Sequence, residues 1–564
     1  SSKVGTVSID TPLLDHPVPG AVYLADQGAN PFSSLIAIYI AVNDPVSGIV
    51  IKLAGKIDLD PVTGQLTSTF IDNPQQPFER FHLEFFSGAR APLRTPASCG
   101  VHTTVTSMTP WSAPESGPSA RPSDSFQIGS GPAGPCPSGA LAPKLKAGLA
   151  NPTAASYSPF SLRLTRDDAT DELAALSART PKGLVAKLAG IPYCPDASIA
   201  RAAGRSAPGQ GAAEVASPSC PDVSAVGTTS AGTGAGPAPF YTGGKVYLAG
   251  PYKGAPLSLV AVIPAIAGPF DLGVVVNRIA LRVDPDTTQV TAESDPFPTI
   301  LSGIPLDVRD IRVSLDRQGF TLAPTSCDPQ TVEANVLGKS GATATASNRF
   351  QVGGCGALKF APGLKLKLKG GTRRGAYPAL RAELKAKAGQ ANLSHVSLAL
   401  PHSEFLAQEH IRTICTRVQF AAQACPKGSI YGRARAFTPL LDKPLEGPVY
   451  LRSSSNPLPD LVLALRGQIE VVAAARIDSV NGGIRASFES VPDAPVSKVV
   501  VEMRGGRKGL LVNSRNICKH TNRATVRMDG HNSKVNDFRP VLRDTCAKKK
   551  HKRKQKKHKR RSRK

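Results

Sequence analysis

Aromatic residues and long apolar runs are both scarce in this sequence. Aromatic residues make up 5% of the 564 residues, with a single Trp. The most apolar stretch, residues 257–276, is interrupted by prolines, glycines and an aspartate. A membrane-spanning helix needs about 20 predominantly apolar residues, so the sequence predicts no transmembrane segment. A sugar-binding groove of stacked rings is also hard to build, and we expect Trp111 to fill a core position.

Sequence signatures of catalysis are missing as well. There is no C-x-x-C pair, no G-x-S-x-G motif and no phosphate-binding loop. The densest group of candidate ligands is His402, Glu404 and His410, but its histidines are eight residues apart, whereas a helical zinc site places them about four apart. We interpret this group as polar surface.

A second acidic group raises the question of calcium. It consists of Asp284, Asp286, Glu293 and Asp295. These residues fall on a predicted hairpin rather than in a calcium-binding loop, which favours a solvated turn. The sequence therefore predicts no catalytic, cofactor-binding or metal-binding residue.

Glycine and proline, by contrast, are abundant. The 51 glycines and 50 prolines favour short strands joined by turns over long helices. The apolar segments alternate with polar residues, which is typical of strands with one buried face. We therefore expect an all-β fold.

One phrase in the sequence occurs twice. TPLLDHPVPGAVYL (Thr11–Leu24) and TPLLDKPLEGPVYL (Thr438–Leu451) are identical at ten of fourteen positions. The Val-Tyr-Leu ending occurs a third time at Val246–Leu248. Each copy is followed by a turn typical of β-hairpins (LDPVTG, VDPDTT or DSVNGG) and later by a Cys. The sequence thus predicts three copies of a β-sandwich unit, named A, in which the phrase marks the first hairpin.

A smaller unit, named B, separates the A units. Both copies open with an apolar, Lys-rich strand, LAPKLKAGL or LKFAPGLKLKLKG, and both place a proline (Pro181 or Pro401) before a short closing segment. We interpret B as a small immunoglobulin-like β unit. The predicted order is A1 at 1–136, B1 at 137–194, an Ala/Gly/Pro-rich linker at 195–220, A2 at 221–355, B2 at 356–415, A3 at 416–546 and a tail at 547–564.

The ten cysteines follow this repeat. Cys327 and Cys355 are separated by 28 residues, as are Cys518 and Cys546. The predicted disulfides are Cys99–Cys136, Cys194–Cys220, Cys327–Cys355, Cys415–Cys425 and Cys518–Cys546. The alternative of pairing Cys220 with Cys327 and Cys425 with Cys518 leaves two cysteines unused. Disulfides persist outside the reducing cytosol, and each loop closure stabilises by roughly 3 to 4 kcal/mol in the chain-entropy model.

The first A unit opens differently from the other two. A2 and A3 begin with Cys-Pro, whereas the chain begins SSKVG, which aligns just after that pair. We therefore expect the chain to start within a unit of a longer precursor or to be a processed product.

Half of the net charge of +26 lies in the tail, whose eighteen residues contain thirteen Lys or Arg and no acid. Such a segment is expected to be disordered. The tail is predicted to bind anionic envelope polymers or lipid headgroups through charge alone. Because no aromatic residues lie among the charges, we expect no sequence-specific recognition of nucleic acid. The residues concerned are Lys548, Lys549, Lys550, Lys552, Arg553, Lys554, Lys556, Lys557, Lys559, Arg560, Arg561, Arg563 and Lys564.

Several of these motifs together resemble a known group of proteins. The Cys-Pro openings, the TPLL and VYL phrases, the block AGPYKGAPLSLVAVIPAIAGPFDLG (Ala249–Gly273) and the basic end after a final Cys are similar to uncharacterised, exported repeat proteins of high-GC actinobacteria. The resemblance implies export and no particular activity.

The sequence therefore predicts a secreted or envelope-associated, non-enzymatic protein with a structural or adhesive role, held to an anionic surface by its tail. An extracellular glycan-binding or protein-binding module is one alternative. A secreted hydrolase with an unrecognised site is another.

Overall fold

The structure is a computed structural model that describes residues 2–96, 99–131, 134–135, 140–168, 170–236, 238–480 and 483–546. The fold is all-β, as predicted, with three short helices among the described residues. None of these helices has the length and apolar character needed to cross a bilayer.

The strands of A1 form a six-stranded antiparallel sheet in the order β5-β4-β3-β2-β1-β6, with two separate hairpins, β7-β8 and β9-β10. The repeated phrase is the turn and second strand of its first hairpin, as predicted, because β1 pairs with β2. The strands are β1 (Lys3–Asp10), β2 (Val18–Leu24), β3 (Ile36–Asn43), β4 (Val50–Leu59), β5 (Leu66–Phe70), β6 (Arg80–Phe85), β7 (Gly100–Val105), β8 (Ser123–Ile128), β9 (Ser130–Gly131) and β10 (Gly134–Pro135).

B1 and A2 share one sheet, which we name module I (residues 140–355). The elements are β11 (Lys144–Leu149), β12 (Phe160–Thr165), β13 (Leu173–Arg179), β14 (Val185–Ala186), α1 (Asp196–Gly204), α2 (Gly211–Ala216), β15 (Ala225–Thr233), β16 (Phe240–Ala249), β17 (Leu257–Ala267), β18 (Phe270–Val283), β19 (Val290–Ser294), β20 (Ile300–Leu301), β21 (Ile304–Pro305), β22 (Asp310–Leu315), β23 (Thr321–Leu322), β24 (Gln330–Gly338) and β25 (Thr343–Phe350). The sheet order is β11-β12-β22-β15-β16-β17-β18-β19-β13-β24-β25.

B2 and A3 form module II (residues 356–546) in the same way. The elements are β26 (Gly363–Lys369), β27 (Ala379–Lys385), β28 (Leu393–Ala399), β29 (Glu404–Leu406), α3 (Arg417–Ala421), β30 (Ile430–Phe437), β31 (Leu445–Arg452), β32 (Asp460–Arg466), β33 (Glu470–Val480), β34 (Gly483–Phe488), β35 (Lys498–Met503), β36 (Leu511–Asn513), β37 (Thr525–Gly530), β38 (Val535–Phe538) and β39 (Leu542–Arg543). Its sheet, β39-β26-β27-β35-β30-β31-β32-β33-β34-β28-β37-β38, repeats the order of module I strand for strand after the added β39.

The B strands therefore do not form the independent immunoglobulin-like unit that we expected. β12 pairs with β22 of A2, and β13 joins β19 to β24. β27 and β28 make the same connections in module II. An A unit leaves two sheet edges and one apolar face open, and the B strands cover all three.

Each module sheet nearly closes on itself. Asn348 of β25 donates to the carbonyl of Ala147 in β11 at 2.7 Å. In module II, Asn536 of β38 donates to the carbonyl of Pro362, next to β26, at 2.8 Å. An asparagine side chain thus links the last strand of each sheet to β11 in module I and to the residue before β26 in module II.

Residues 195–220 were predicted to be a linker, and this prediction is wrong. They carry α1 and α2, and Ile199 and Ala202 of α1 are buried against Val260 and Val274 of A2. Hydrogen bonds from Gly211 and Ala212 to the carboxylate of Asp271, at 2.9 and 2.8 Å, fix the start of α2. The segment is part of the module rather than a spacer.

Candidate functional site

The inner faces of modules I and II surround one apolar cavity. Its volume is about 620 Å³, and residues of both modules line it. Among the described residues, the lining is almost entirely Ala, Val, Leu, Ile and Phe, with a few Ser, Thr and Asn and no charged side chain. We name this space the interior cavity. A volume of this size is within the range of about 300 to 1,000 Å³ that is usual for ligand pockets.

The alternation of the strands explains the apolar lining. Successive side chains of a strand point to opposite faces of its sheet. In β26, GLKLKLK, the leucines are buried or partly buried and the lysines are exposed. In β18, Val275, Ile279 and Leu281 line the cavity. The Lys-rich strands of the B units thus contribute apolar residues inward and charge outward.

Small side chains explain why the space is not filled. Many inward positions carry alanine, including Ala231, Ala261 and Ala292 in module I and Ala436 and Ala473 in module II. A protein core normally packs as densely as an organic crystal. With so few aromatic residues, the two wide sheets lack the side-chain volume to reach that density.

The cavity continues across the junction between the modules. Leu188 and Phe320 of module I and Leu440 and Leu441 of module II belong to one buried cluster. The backbone amides of Leu188 and Ala189 both donate to the carbonyl of Leu440, at 2.8 and 2.9 Å. The second copy of the repeated phrase therefore forms part of the wall between the modules.

A buried aspartate locks the same junction. Asp493 of module II accepts hydrogen bonds from the amides of Thr325 and Ser326 in module I, at 2.7 and 2.9 Å. The Asn392 side chain also donates to it, at 2.8 Å. Because Asp493 is buried and has donors from both modules, it fixes their relative position.

A buried carboxyl lies in module II. Glu404 of β29 is fully buried, and burial raises its pKa to about 7, although a hydrogen bond from Ser403 works in the other direction. Within the part of the chain that the structure describes, its Oε1 atom has no hydrogen-bond partner, and neither has Oδ1 of Asn513, the residue opposite it in β36. In module I the equivalent residues are Leu184 and Ala323, since β14 pairs with β23 as β29 pairs with β36.

The structure separates the predicted group of His402, Glu404 and His410. His402 is exposed. The Nδ1 atom of His410 donates a hydrogen bond to the Gly509 carbonyl at 2.8 Å, and the ring packs on Tyr377. The prediction of polar surface is wrong for Glu404. The closing segment of B2 contains β29, which pairs with β36, and Glu404 is buried there. No group of three metal-binding side chains is found among the described residues.

Two other sequence interpretations can be compared with the structure. Asp284 accepts from the amides of Asp286 and Thr287, so it shapes the β18–β19 turn. Trp111 was expected in a core and is instead 50% exposed. It lies between β7 and β8 of A1, where no B strand of the described chain covers it.

Four disulfides are present among the described residues: Cys194–Cys220, Cys327–Cys355, Cys415–Cys425 and Cys518–Cys546. These are pairs that the spacing predicts. The fifth, Cys99–Cys136, includes Cys136, which lies outside the described residues, as do all thirteen basic residues predicted for polyanion binding. The first and third disulfides close the connection from B to A, and the other two close the far end of the A units.

Sequence reasoning missed the interior cavity and the Asp493 lock. The inward alanines in strands were a usable signal for the cavity, because alanine is depleted from strands in general. Asp493 gave no signal, since its partners lie 167 and 168 residues away.

Comparisons with known proteins identify no family. No family model matches the chain, and no curated protein matches it. One similar solved structure contains the M60 catalytic domain with the CBM51-1 and CBM51-2 domains from Clostridium perfringens ZmpB, at 8% identity and a TM-score of 0.12. The match covers 96% of this chain and 52% of that one, so the chain spans about half its length. Similarity at this level carries no argument about function.

Proposed function

We propose that this protein is a non-enzymatic, extracellular or envelope-associated protein that binds an extended apolar chain, such as the acyl chain of a lipid, in the interior cavity. The observation that carries the proposal is the continuous, uncharged cavity of about 620 Å³ shared by modules I and II. The four disulfides support a location outside the reducing cytosol.

The energetics of an apolar cavity favour an occupant. An empty space deprives its lining atoms of dispersion contacts on one side. Each methylene group transferred from water into such a space contributes about 0.8 kcal/mol. A long unbranched chain gains this contribution repeatedly without needing a polar partner, which suits a lining with so few polar groups.

The basic tail supplies the second part of the proposal. Thirteen positive charges in eighteen residues would hold the protein at anionic envelope polymers or lipid headgroups by counterion release. That attachment would keep the interior cavity close to the lipids from which an acyl chain is taken.

Titration with cis-parinaric acid, a fluorescent fatty acid, tests the cavity. Ala231→Phe and Ala473→Phe each place a ring in the cavity, whereas Thr228→Phe adds the same ring to the exposed face of the strand that carries Ala231. Since two displaced methylenes lose about 1.6 kcal/mol, we expect the two cavity variants to bind at least about tenfold more weakly. Thr228→Phe should bind as the unmodified protein does.

Two results would count against the cavity as the binding site. One is the absence of saturable binding to folded protein. The other is equal weakening by all three variants. Thermal unfolding of each variant, measured alongside, separates loss of binding from loss of fold.

Deletion of residues 547–564 tests the tail. The full chain should pellet with phosphatidylglycerol vesicles and not with phosphatidylcholine vesicles, and pelleting should weaken steeply with salt. The deletion should abolish pelleting and leave cis-parinaric acid binding unchanged. Unchanged pelleting after deletion would refute the role of the tail without affecting the role of the cavity.

A further inference from the structure

Among the described residues, A1 has the sheet of an A unit without the B strands that complete one in modules I and II. Its order β5-β4-β3-β2-β1-β6 matches β19-β18-β17-β16-β15-β22 of module I and β34-β33-β32-β31-β30-β35 of module II. In A1 both end strands, β5 and β6, lack an outer ladder partner among the described residues. The β7-β8 hairpin, which corresponds to β24-β25, forms a sheet of its own.

The two modules show which strands these edges accept. β12 runs antiparallel to β22 over six residue pairs, from Phe160↔Leu315 to Thr165↔Asp310. β27 runs in the same way along β35, from Leu380↔Met503 to Lys385↔Lys498. The register of β6 against β1 makes Arg80–Phe85 the equivalent segment.

The apolar side chains of A1 show what the missing cover would bury. Phe81 of β6 is 41% exposed, whereas Ile311, its equivalent in β22, is 9% exposed. Val105 of β7 is 68% exposed, whereas the inward-facing Val332 and Val336 of β24, the matching strand of module I, are at most 1% exposed. Phe81 and Val105 border an open groove of about 3990 Å³ that also contains Trp111. An apolar surface of this kind and two free sheet edges are features that monomeric proteins normally cover.

A charged residue of A1 is placed to form an ion pair with a strand like those of the B units. In module II, Arg381 of B2 forms an ion pair with Glu502 of β35. Glu84 of β6 occupies the position of Glu502, and it is exposed. A B-type strand in the register of β27 would place an arginine beside it.

We propose that the open face of A1 is a docking surface for a further B-type unit, beyond the two that modules I and II already use. One strand of this unit pairs antiparallel with β6 in the register of β27 on β35. Another strand fills the gap between β5 and β7, as β28 does between β34 and β37. B1 and B2 of a second copy are not available, because each is already part of its own module.

A fusion provides the first test. A copy of residues 356–427 is placed before Ser1 of the full chain; this copy contains Cys415 and Cys425, which pair with each other. The matched control carries Ala382→Pro in the copied strand, which interrupts the ladder. Amide hydrogen exchange of residues 66–70 and 80–85 should slow at least about tenfold in the fusion and not in the control. Trp111 fluorescence should shift to shorter wavelength only in the fusion.

A peptide in trans provides a second test that does not depend on the fusion folding. A synthetic peptide copying residues 377–387 should protect the amides of residues 80–85 of the unmodified chain, and a scrambled peptide should not. Glu84→Arg should weaken that protection. Exchange that is unaffected by both fusion and peptide would overturn the proposal. So would a concentration-dependent dimer that protects the same amides, because the occupant would then be a second copy.

Discussion

The same Thr-Pro-Leu-Leu segment has opposite environments in A1 and in A3. In both copies the amide two residues after the threonine donates to its hydroxyl, at 3.3 Å for Thr11 and 3.2 Å for Thr438. Leu440 is nevertheless 7% exposed and Leu13 is 62% exposed. Identical local structure therefore does not determine burial. The difference is that Leu440 packs against Leu188 and Phe320 of module I, whereas Leu13 borders the open groove beside A1.

The difference extends to the whole surface of A1. Of the 25 large apolar residues that are exposed in the described chain, 14 lie in A1. Modules I and II have the same A-type sheet and bury its inner face beneath B strands. We conclude that an A unit needs B strands to complete its core. The difference in stability between A1 and the two modules can be measured.

The largest expected effect is a core truncation at equivalent positions in β22 and β6. Ile311→Ala should lower the free energy of unfolding of module I by about 4 kcal/mol, and Phe81→Ala should lower that of A1 by only about 1 kcal/mol, because Phe81 is already half exposed. Guanidinium unfolding measures both, with circular dichroism for the modules and Trp111 fluorescence for A1. Equal losses would show that the inner face of A1 is buried in solution.

The second effect compares the junction between modules I and II with the contact between A1 and module I. Asp493→Ala should lower the free energy of unfolding by about 3 kcal/mol, because it leaves the buried amides of Thr325 and Ser326 without a hydrogen-bond acceptor. Gln27→Ala removes the paired hydrogen bonds of Gln27 with the Asp271 backbone, at 2.8 and 2.7 Å, and should cost about 1 kcal/mol. Exchange at residues 325–326 should increase only in Asp493→Ala. A larger cost for Gln27→Ala would mean that A1 is the more firmly attached unit.

The third effect is a difference between the two modules in how their stability depends on pH. Burial raises the pKa of Glu404 from its ordinary value of 4.5 to about 7 in the folded protein, so the folded state holds the extra proton between these values. Stability from this group is present at low pH and is lost as pH rises through 7, by about 3 kcal/mol at most. Glu404→Leu copies Leu184 of module I and should remove this loss.

Unfolding of both proteins at pH 5 and pH 8.5 provides the measurement. Module I serves as an internal reference, since it has Leu184 at the equivalent position. A loss at high pH that persists in Glu404→Leu would assign the pH dependence to another group.

The smallest effect concerns A1 alone. Hydrogen bonds with Asp15 and Asp44 raise the pKa of His16 above its usual value. The contribution of His16 to stability is present below pH 6.5 and is lost as pH rises through the raised pKa. His16→Lys copies Lys443 of the repeated phrase in A3, and it should make the thermal unfolding of A1 independent of pH in this range. Trp111 fluorescence follows A1 specifically, and a variant that keeps the pH dependence would exclude His16 as its source.

The features that the sequence predicted are local ones. Alternation within strands predicted the all-β class, and Asp-Pro turns predicted the hairpins. Regular spacing within a repeat predicted the cysteine pairs. Each of these properties is decided by residues that are close in sequence or that recur at a fixed distance.

The features that the sequence did not predict depend on distant partners. B1 and A2 looked like separate units, because nothing near β12 indicates that it pairs with β22. Glu404 looked like surface, because the strand that buries it follows about a hundred residues later. The helix α1 is an exception, since DASIARAAG spaces Ile199 and Ala202 on one helical face and could have been recognised.

The pairing of each B unit with the A unit after it has a consequence for how the chain acquires its structure. Arg163 of β12 binds Asp310 of β22, which lies 147 residues further along the chain. A polypeptide that emerges amino terminus first presents β12 and its unpaired edge long before its partner exists. Contacts between residues so far apart form slowly, and incomplete sheets aggregate through exposed strand edges. Maturation of each module therefore waits for its last strands, and a chaperone that shields strand edges would act in this interval.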